Sequence, residues 1–267
     1  KENFLGSKDL IAYAKERGWY RPEENKPFNF RQMYGGEKTI NHPGNINRHW
    51  MAVNMLSRKN YDRTDRLPFA FYPVKKLQLT DLFEVLRNHY EGTGLESLSH
   101  EKTPHENDNR PICTASTQYA IVAKLKNNLP EPLQSVMWYA PIQPCLHPFV
   151  PVYVNLTHFP ENFAIGGWKK ALENHFNDNY FDRKEKFQNH GFQSFAEFAR
   201  WINQDYYDRS PGLIKENKPF ELEMIKKHRV FSKELLELYE DDPQKAIRRM
   251  TRYSHDNLQT LISLQFD

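Results

Sequence analysis

Residues 119–156 read YAIVAKLKNNLPEPLQSVMWYAPIQPCLHPFVPVYVNL, and this stretch decides the fold class. Three short runs within it, Tyr119 to Lys126, Gln134 to Ala140 and Phe149 to Leu156, are rich in Val, Ile and aromatic residues. Such side chains fill a pleated, half-buried surface well. The clusters NNLPEP and PIQPCLHP between the runs are turn signals, because proline cannot donate to a sheet ladder and presets a bend. The pattern predicts a β-meander of three antiparallel strands.

Outward from the meander the apolar period becomes helical. On the N-terminal side, Ser7 is placed to cap a helix through Asp9, Leu10, Ile11 and Ala14 that stops at Gly18. Pro43-Gly44 then makes a turn ahead of a helix from about Asn45 to Ser57, with Ile46, Trp50 and Val53 inward. A third helix starts at Thr80, carries Leu82, Phe83, Val85, Leu86 and Tyr90, and is expected to end at Gly92. Residues 94–111, GLESLSHEKTPHENDNRP, form a polar excursion. Beyond the meander the chain is expected to stay helical. Ser194 opens a helix with Phe195, Phe198, Ala199, Ile202 and Tyr206 on one face, another begins near Pro219, and Asp242-Pro243 starts the last. The division is helical over 1–93, polar over 94–111, meander over 112–156 and helical over 157–267. Helices, strands, then helices is an α+β order rather than an alternating one.

Composition narrows the function classes. The 267 residues are 14% aromatic, and the net charge of +3 comes from 37 basic and 34 acidic residues mixed along the chain, so no basic stripe supports a nucleic-acid partner. No apolar run approaches the roughly 20 residues that span a bilayer. The opening KENFLGSKDL has no apolar signal core, and a start without Met fits a piece of a longer protein. Compartment, cytoplasmic or exported, and association into a homo-oligomer stay open.

Chemistry is not announced by any self-contained motif. GxSxG, a phosphate-binding glycine loop, HExxH and paired CxxC are all missing. His42 with His49, and His147 with His158, lack a metal spacing and read as ordinary hydrogen-bonding residues. Cys113 and Cys145 have no ligand spacing either, so no metal and no cofactor is expected; Cys113 reads as a buried, inert thiol. Glu84, Glu91, Glu96 and Glu101 read as a solvated face.

Three segments carry a resemblance. They are LIAYAKERGWY at residues 10–20 with Phe28-Asn29-Phe30; DLFEVLRNHYEGT at residues 81–93; and Arg110-Pro111-Ile112 followed by Val136-Met137-Trp138-Tyr139 and Phe149-Val150-Pro151-Val152-Tyr153. In order and spacing they resemble the bacterial cysteine dipeptidases of the PepD type, relatives of the secernins among the N-terminal-nucleophile hydrolases. The resemblance implies the C-terminal part of a four-layer αββα sandwich acting on short peptides. It also implies an upstream half of the same protein, carrying a mature N-terminal Cys whose own amine serves as base. The fragment alone is then expected to be inactive. The stretch His42-Pro43-Gly44-Asn45-Ile46-Asn47-Arg48 looks like a segment of the related choloylglycine and penicillin-V hydrolases, and maps Arg48 to an active-site position. Two other readings stay open: another amide hydrolase of that kind, and a binding scaffold that kept the fold. A departure adds weight to the last, since Ser116 stands where the dipeptidases usually carry a basic residue. Tyr90, Glu91 and Arg110 are further cleft candidates with structural roles favoured.

Overall fold

The computed structural model describes residues 6–22, 27–97, 102–164 and 191–265. Glu101 and residues 165–190 of the expected helical stretch 157–267 lie outside the described residues. The chain divides into two compact units, one of Lys1–Val74 with Asp108–Arg110, the other of Lys75–Asn107 with Pro111–Asp267.

The first unit is helical. Its elements are α1 (Leu10–Glu16), α2 (Phe30–Tyr34), α3 (Glu37–Ile40) and α4 (Pro43–Leu56). Gly18, at φ +69°, takes the left-handed conformation just past α1, where a Cβ would be strained. Tyr13, Trp19 and Tyr34 pack edge and face around that turn, with Tyr34 donating to the Leu10 carbonyl. Helix α4 starts two residues earlier than the sequence suggests. Pro43 is its first residue, where the missing N–H costs nothing, and the His42 ring accepts from the Gly44 N–H at 3.1 Å. Val53 is buried as expected, whereas Ile46 and Trp50 are only half-buried. The loop after α4 is held by Trp50 and Asn54, both of which donate to the Tyr61 carbonyl.

At Gly44 the backbone of α4 lies close to residue 110. A Cβ added there would sit 2.8 Å from the Arg110 Cβ. Replacing it with Ala gains about 1 kcal/mol of helix propensity but overpacks by about 1–3 kcal/mol. Gly44→Ala is therefore expected to lower the urea midpoint, by the equivalent of about 1 kcal/mol; a raised midpoint would show that Arg110 moves aside freely.

The second unit holds α5 (Leu79–Arg87), β1 (Tyr119–Leu125), β2 (Ser135–Pro141), β3 (Val150–Tyr153), α6 (Glu161–Ala164), α7 (Gly191–Asn203), α8 (Tyr206–Asp241) and α9 (Pro243–Ser263). The strands form the expected antiparallel meander in the order β1-β2-β3, with Val122 opposite Trp138 and Trp138 opposite Pro151. On β1 the buried residues Ala120 and Val122 alternate with exposed ones, so that strand covers the core with one face only. β3 is buried throughout. Its outer edge is satisfied by side chains of α9: the Tyr153 N–H donates to Ser254 Oγ at 3.2 Å, and Asn257 Nδ2 donates to the Pro151 carbonyl at 2.8 Å. Covering an edge in this way removes a template for unwanted pairing. Beneath the sheet, Phe83 of α5 stacks on Phe149 at 4.0 Å and packs against Trp138.

Further helix boundaries differ from expectation. Helix α7 opens at Gly191 rather than Ser194 and ends at Asn203, short of Tyr206. Helix α5 ends at Arg87, not near Gly92. Asn88 turns its side-chain oxygen back to the Tyr90 N–H at 2.8 Å, giving the backbone a local alternative to the helix, and Tyr90 takes φ +72°. Nor does a helix begin at Pro219. Pro211 and Pro219 both lie inside the 36-residue α8, which starts at Tyr206. Packing outweighs proline's intrinsic cost there, since Ser210, Asn217, Glu221, Met224 and Leu235 along α8 are buried. Asp242 and Pro243 start α9 as expected, with the Asp242 carboxylate accepting from the Lys245 N–H at 2.9 Å.

Candidate functional site

The chain's two thiols, 32 positions apart in sequence, meet in the second unit. Cys113 follows the polar excursion, and its N–H donates to the Asn88 carbonyl at 3.2 Å. Cys145 sits in the β2–β3 connection, three residues after Ile142, which has φ +51°. Their sulfurs are 3.6 Å apart, far beyond a disulfide bond, and both thiols are free and buried.

Two imidazoles complete the group. His105 stands on a single 3-10 turn, Pro104–Glu106, and places Nε2 3.0 Å from Cys145 Sγ. Its Nδ1 faces Asn203 Oδ1 at 3.0 Å, and Asn203 in turn donates to Gln143 Oε1 at 2.9 Å. His89 lies just past α5. Its Nδ1 is 2.9 Å from Glu91 Oε1, and the other Glu91 oxygen accepts from the His89 N–H and from Asn88 Nδ2. One ligand-type atom from each of His89, His105, Cys113 and Cys145 lies within 4.8 Å of all the others. Tyr206, at the start of α8, closes the group by edge contacts to both rings.

The electrostatics follow from burial and proximity. Burial works to raise the Cys145 pKa, but Cys113, His105 and His89 overcome it and hold the thiol well below its usual range. Cys113 goes the other way, pushed well up by burial and by Cys145 beside it. Burial lowers the His89 pKa, yet Cys145 and Glu91 override it and lift it to about 9. The Tyr206 phenol is driven up, by burial first and the nearby sulfurs second.

Sulfur, imidazole and amide also line up as Cys145, His105 and Asn203, the order of a thiol nucleophile, its base and the group that orients the base. Burial rules against that use. Attack requires a carbonyl carbon about 3–3.5 Å from the sulfur, and Cys145 is only 6% exposed, with Cys113 fully buried beside it.

Arg48 belongs to the first unit. It is half-buried on α4, and its guanidinium bonds to the Gly44 carbonyl at 3.1 Å and to Asn45 Oδ1. Asn45 also lines a shallow hollow of about 380 Å³ walled by Phe30, Tyr34 and Ile40. The other singled-out histidines have hydrogen-bonding roles: His42 caps α4, His49 meets the Pro68 carbonyl, His147 the Gln143 carbonyl, and His158 pairs with Thr157. Glu84 faces Lys218 at the surface, and Glu91, exposed as expected, also holds His89. Tyr90 is fully buried, and Ser116 is exposed, bonded to Thr114 in a small hydroxyl turn. Sequence reasoning missed the meeting of His89, His105 and Cys145. The one available signal was that His89 and Glu91 lie inside the stretch 81–93.

Comparison with known proteins agrees with the sequence resemblance. A probable dipeptidase of Salmonella dublin is 26% identical over 164 residues, covering 59% of this chain and 36% of that protein. A probable dipeptidase of Latilactobacillus sakei is 27% identical over 175 residues, 65% of this chain and 37% of the relative. A dipeptidase of Bifidobacterium longum is 26% identical over 176 residues, 60% and 32% respectively. The chain thus spans about a third of the length of these relatives. Among the described residues, no helix is long and apolar enough to cross a membrane. The family model of peptidase family C69 matches residues 1–206, and the chain belongs to that family.

Proposed function

We propose that the intact protein is a cysteine-type dipeptidase that hydrolyses short peptides through an acyl-enzyme, with its nucleophilic Cys supplied by a segment upstream of these residues. The observation that carries this reading is family membership combined with the burial of both thiols present. A cysteine peptidase needs an accessible thiol, and Cys113 and Cys145 are not accessible. The upstream thiolate attacks the peptide carbonyl carbon, its own α-ammonium returns a proton to the departing amine, and water then cleaves the thioester, restoring the thiol and releasing a carboxylic acid. Backbone donors stabilise the tetrahedral oxyanion. In this scheme the meander backed by α8 and α9 is part of a four-layer αββα sandwich, and Arg48 orients the nucleophile or grips a substrate carboxylate.

The test uses full-length protein with a dipeptide panel, iodoacetamide, and mapping of the alkylated residues. Dipeptide turnover should fall in step with alkylation of one upstream Cys, while Cys113 and Cys145 stay unmodified. Inactivation that tracks alkylation of Cys145 would instead establish the Cys145–His105–Asn203 line as the catalytic group. Turnover of N-acyl amides but not dipeptides would favour the penicillin-V type of activity. No turnover at all, with an N-terminal Cys confirmed, would favour a binding scaffold.

A further inference from the structure

The proposed hydrolysis makes no use of His89, His105, Cys113 and Cys145. We propose that these four side chains form a closed, tetrahedral zinc site that clamps the loops of the second unit.

The distances suit the ion. Zinc held by sulfur at about 2.3 Å and imidazole nitrogen at about 2.0–2.1 Å has ligand-to-ligand edges of roughly 3.3–3.8 Å. The two sulfurs are already 3.6 Å apart, Cys145 Sγ and His105 Nε2 are 3.0 Å apart, and no pair in the group exceeds 4.8 Å. To fill the site the Cys145–His105 pair opens, and any pair wider than these edges closes, toward them.

A second observation points inward independently. His89 is 5% exposed, and its Nε2 is buried without a hydrogen-bond partner. Buried polar atoms in native proteins are nearly always satisfied, so an orphan aimed at three other ligand-type atoms calls for a partner. The outer nitrogens are accounted for: Glu91 holds Nδ1 of His89 and Asn203 holds Nδ1 of His105. This carboxylate or amide behind each ring is what orients metal-binding histidines and fixes Nε2 as the ligating atom.

Charge and ligand type select the metal. Two thiolates neutralise a divalent ion, so the filled site carries no net charge into the interior. Sulfur and imidazole together favour zinc over the oxygen-seeking magnesium and calcium. Four protein ligands leave no open position for water, which makes the site structural rather than catalytic. Its ligands come from three separate stretches: the loop after α5, the segment 105–113, and the β2–β3 connection. Among the described residues, the non-glycine positions at positive φ are Tyr90, Arg110 and Ile142, each within three positions of a ligand. Such backbone persists only where its surroundings hold it in place.

The test is made on full-length protein purified under reducing conditions without added metal. Elemental analysis should find one zinc per chain. Chelator-stripped protein titrated with Co²⁺ should develop thiolate-to-cobalt charge-transfer absorption together with tetrahedral d–d bands. Cys113→Ser and Cys145→Ser should abolish the charge-transfer band or cut it by about half. Glu91→Gln, a conservative change at an exposed side chain, should weaken zinc about 10-fold in competition with a chromogenic chelator. A folded, reduced wild type without the cobalt–thiolate band would overturn the proposal, as would an intact band in both Cys variants or a Cys113–Cys145 disulfide in protein taken directly from cells. None of these readouts depends on peptide hydrolysis, so this proposal and the dipeptidase reading stand or fall separately.

Discussion

Arg87→Ala is expected to destabilise the protein by about 3–5 kcal/mol in urea unfolding, because it strands a buried carboxylate. Arg87, 9% exposed at the end of α5, meets Glu221 of α8, which is 2% exposed. Nη1 donates to one carboxylate oxygen at 2.9 Å and Nη2 to the other, a two-pronged pair. Nε donates to the Pro144 carbonyl at 2.7 Å, and the guanidinium lies over the Phe149 ring. Glu221 also accepts the Phe149 N–H at 2.6 Å. One pair thus joins α5, α8 and the β2–β3 connection. Burial already pushes the Glu221 carboxyl up, against the pull of Arg87 and Phe149. With Arg87 gone, Glu221 can escape part of the penalty by taking a proton, so the loss should sit near the lower end of the range. The double variant Arg87→Met with Glu221→Leu removes both charges and should be more stable than Arg87→Ala alone. A loss under about 1 kcal/mol in Arg87→Ala would mean that water reaches the pair and the interaction is a surface one.

That pair clarifies what the family-like stretch at 81–93 does. Arg87 holds α8, Asn88 ends the helix, and His89 and Glu91 build one side of the thiol–imidazole group. The meander was legible because alternation in β1 and proline-marked turns are local signals, and so was Asp242-Pro243 at the start of α9. The end of α5 was not. Tyr90 continues the apolar helical period, yet the Asn88 side chain, two residues away, takes the Tyr90 N–H and offers the backbone an alternative to the helix. Pro219 misled for the opposite reason, because a local breaker is overruled by the burial of α8. The four-ligand group was least legible of all. His89, His105, Cys113 and Cys145 are separated by 16, 8 and 32 positions, with no short pair of the kind that marks a zinc finger. Tertiary folding alone brings them together. Arg48, legible only through a distant resemblance, sits in the other unit with its guanidinium held by its own helix.

His228 is expected to make the second unit acid-sensitive. It lies on α8, 5% exposed, with its ring edge-on to Trp138 of β2 and near Tyr153 of β3. Nδ1 is 3.3 Å from the Tyr253 hydroxyl of α9, and Nε2 is 3.2 Å from Ser232 Oγ on its own helix. Among the described residues, the charged groups that contribute to its shift are Lys124 of β1 and Lys126 just beyond, and no carboxylate does. Burial first, and those two lysines second, depress it from 6.5 to about 4. The folded protein therefore keeps His228 neutral where the unfolded chain is protonated. Stability from this group is complete above pH 6.5, falls as pH drops below that value, and is gone by about pH 4. At about 1.36 kcal/mol per unit of pH, the loss at pH 5 is about 2 kcal/mol. His228→Phe keeps a ring against Trp138 and removes the titration. The drop in unfolding free energy between pH 7 and pH 5 should therefore shrink by about 2 kcal/mol in this variant. An equal drop in the variant and the parent would assign the acid sensitivity to other groups.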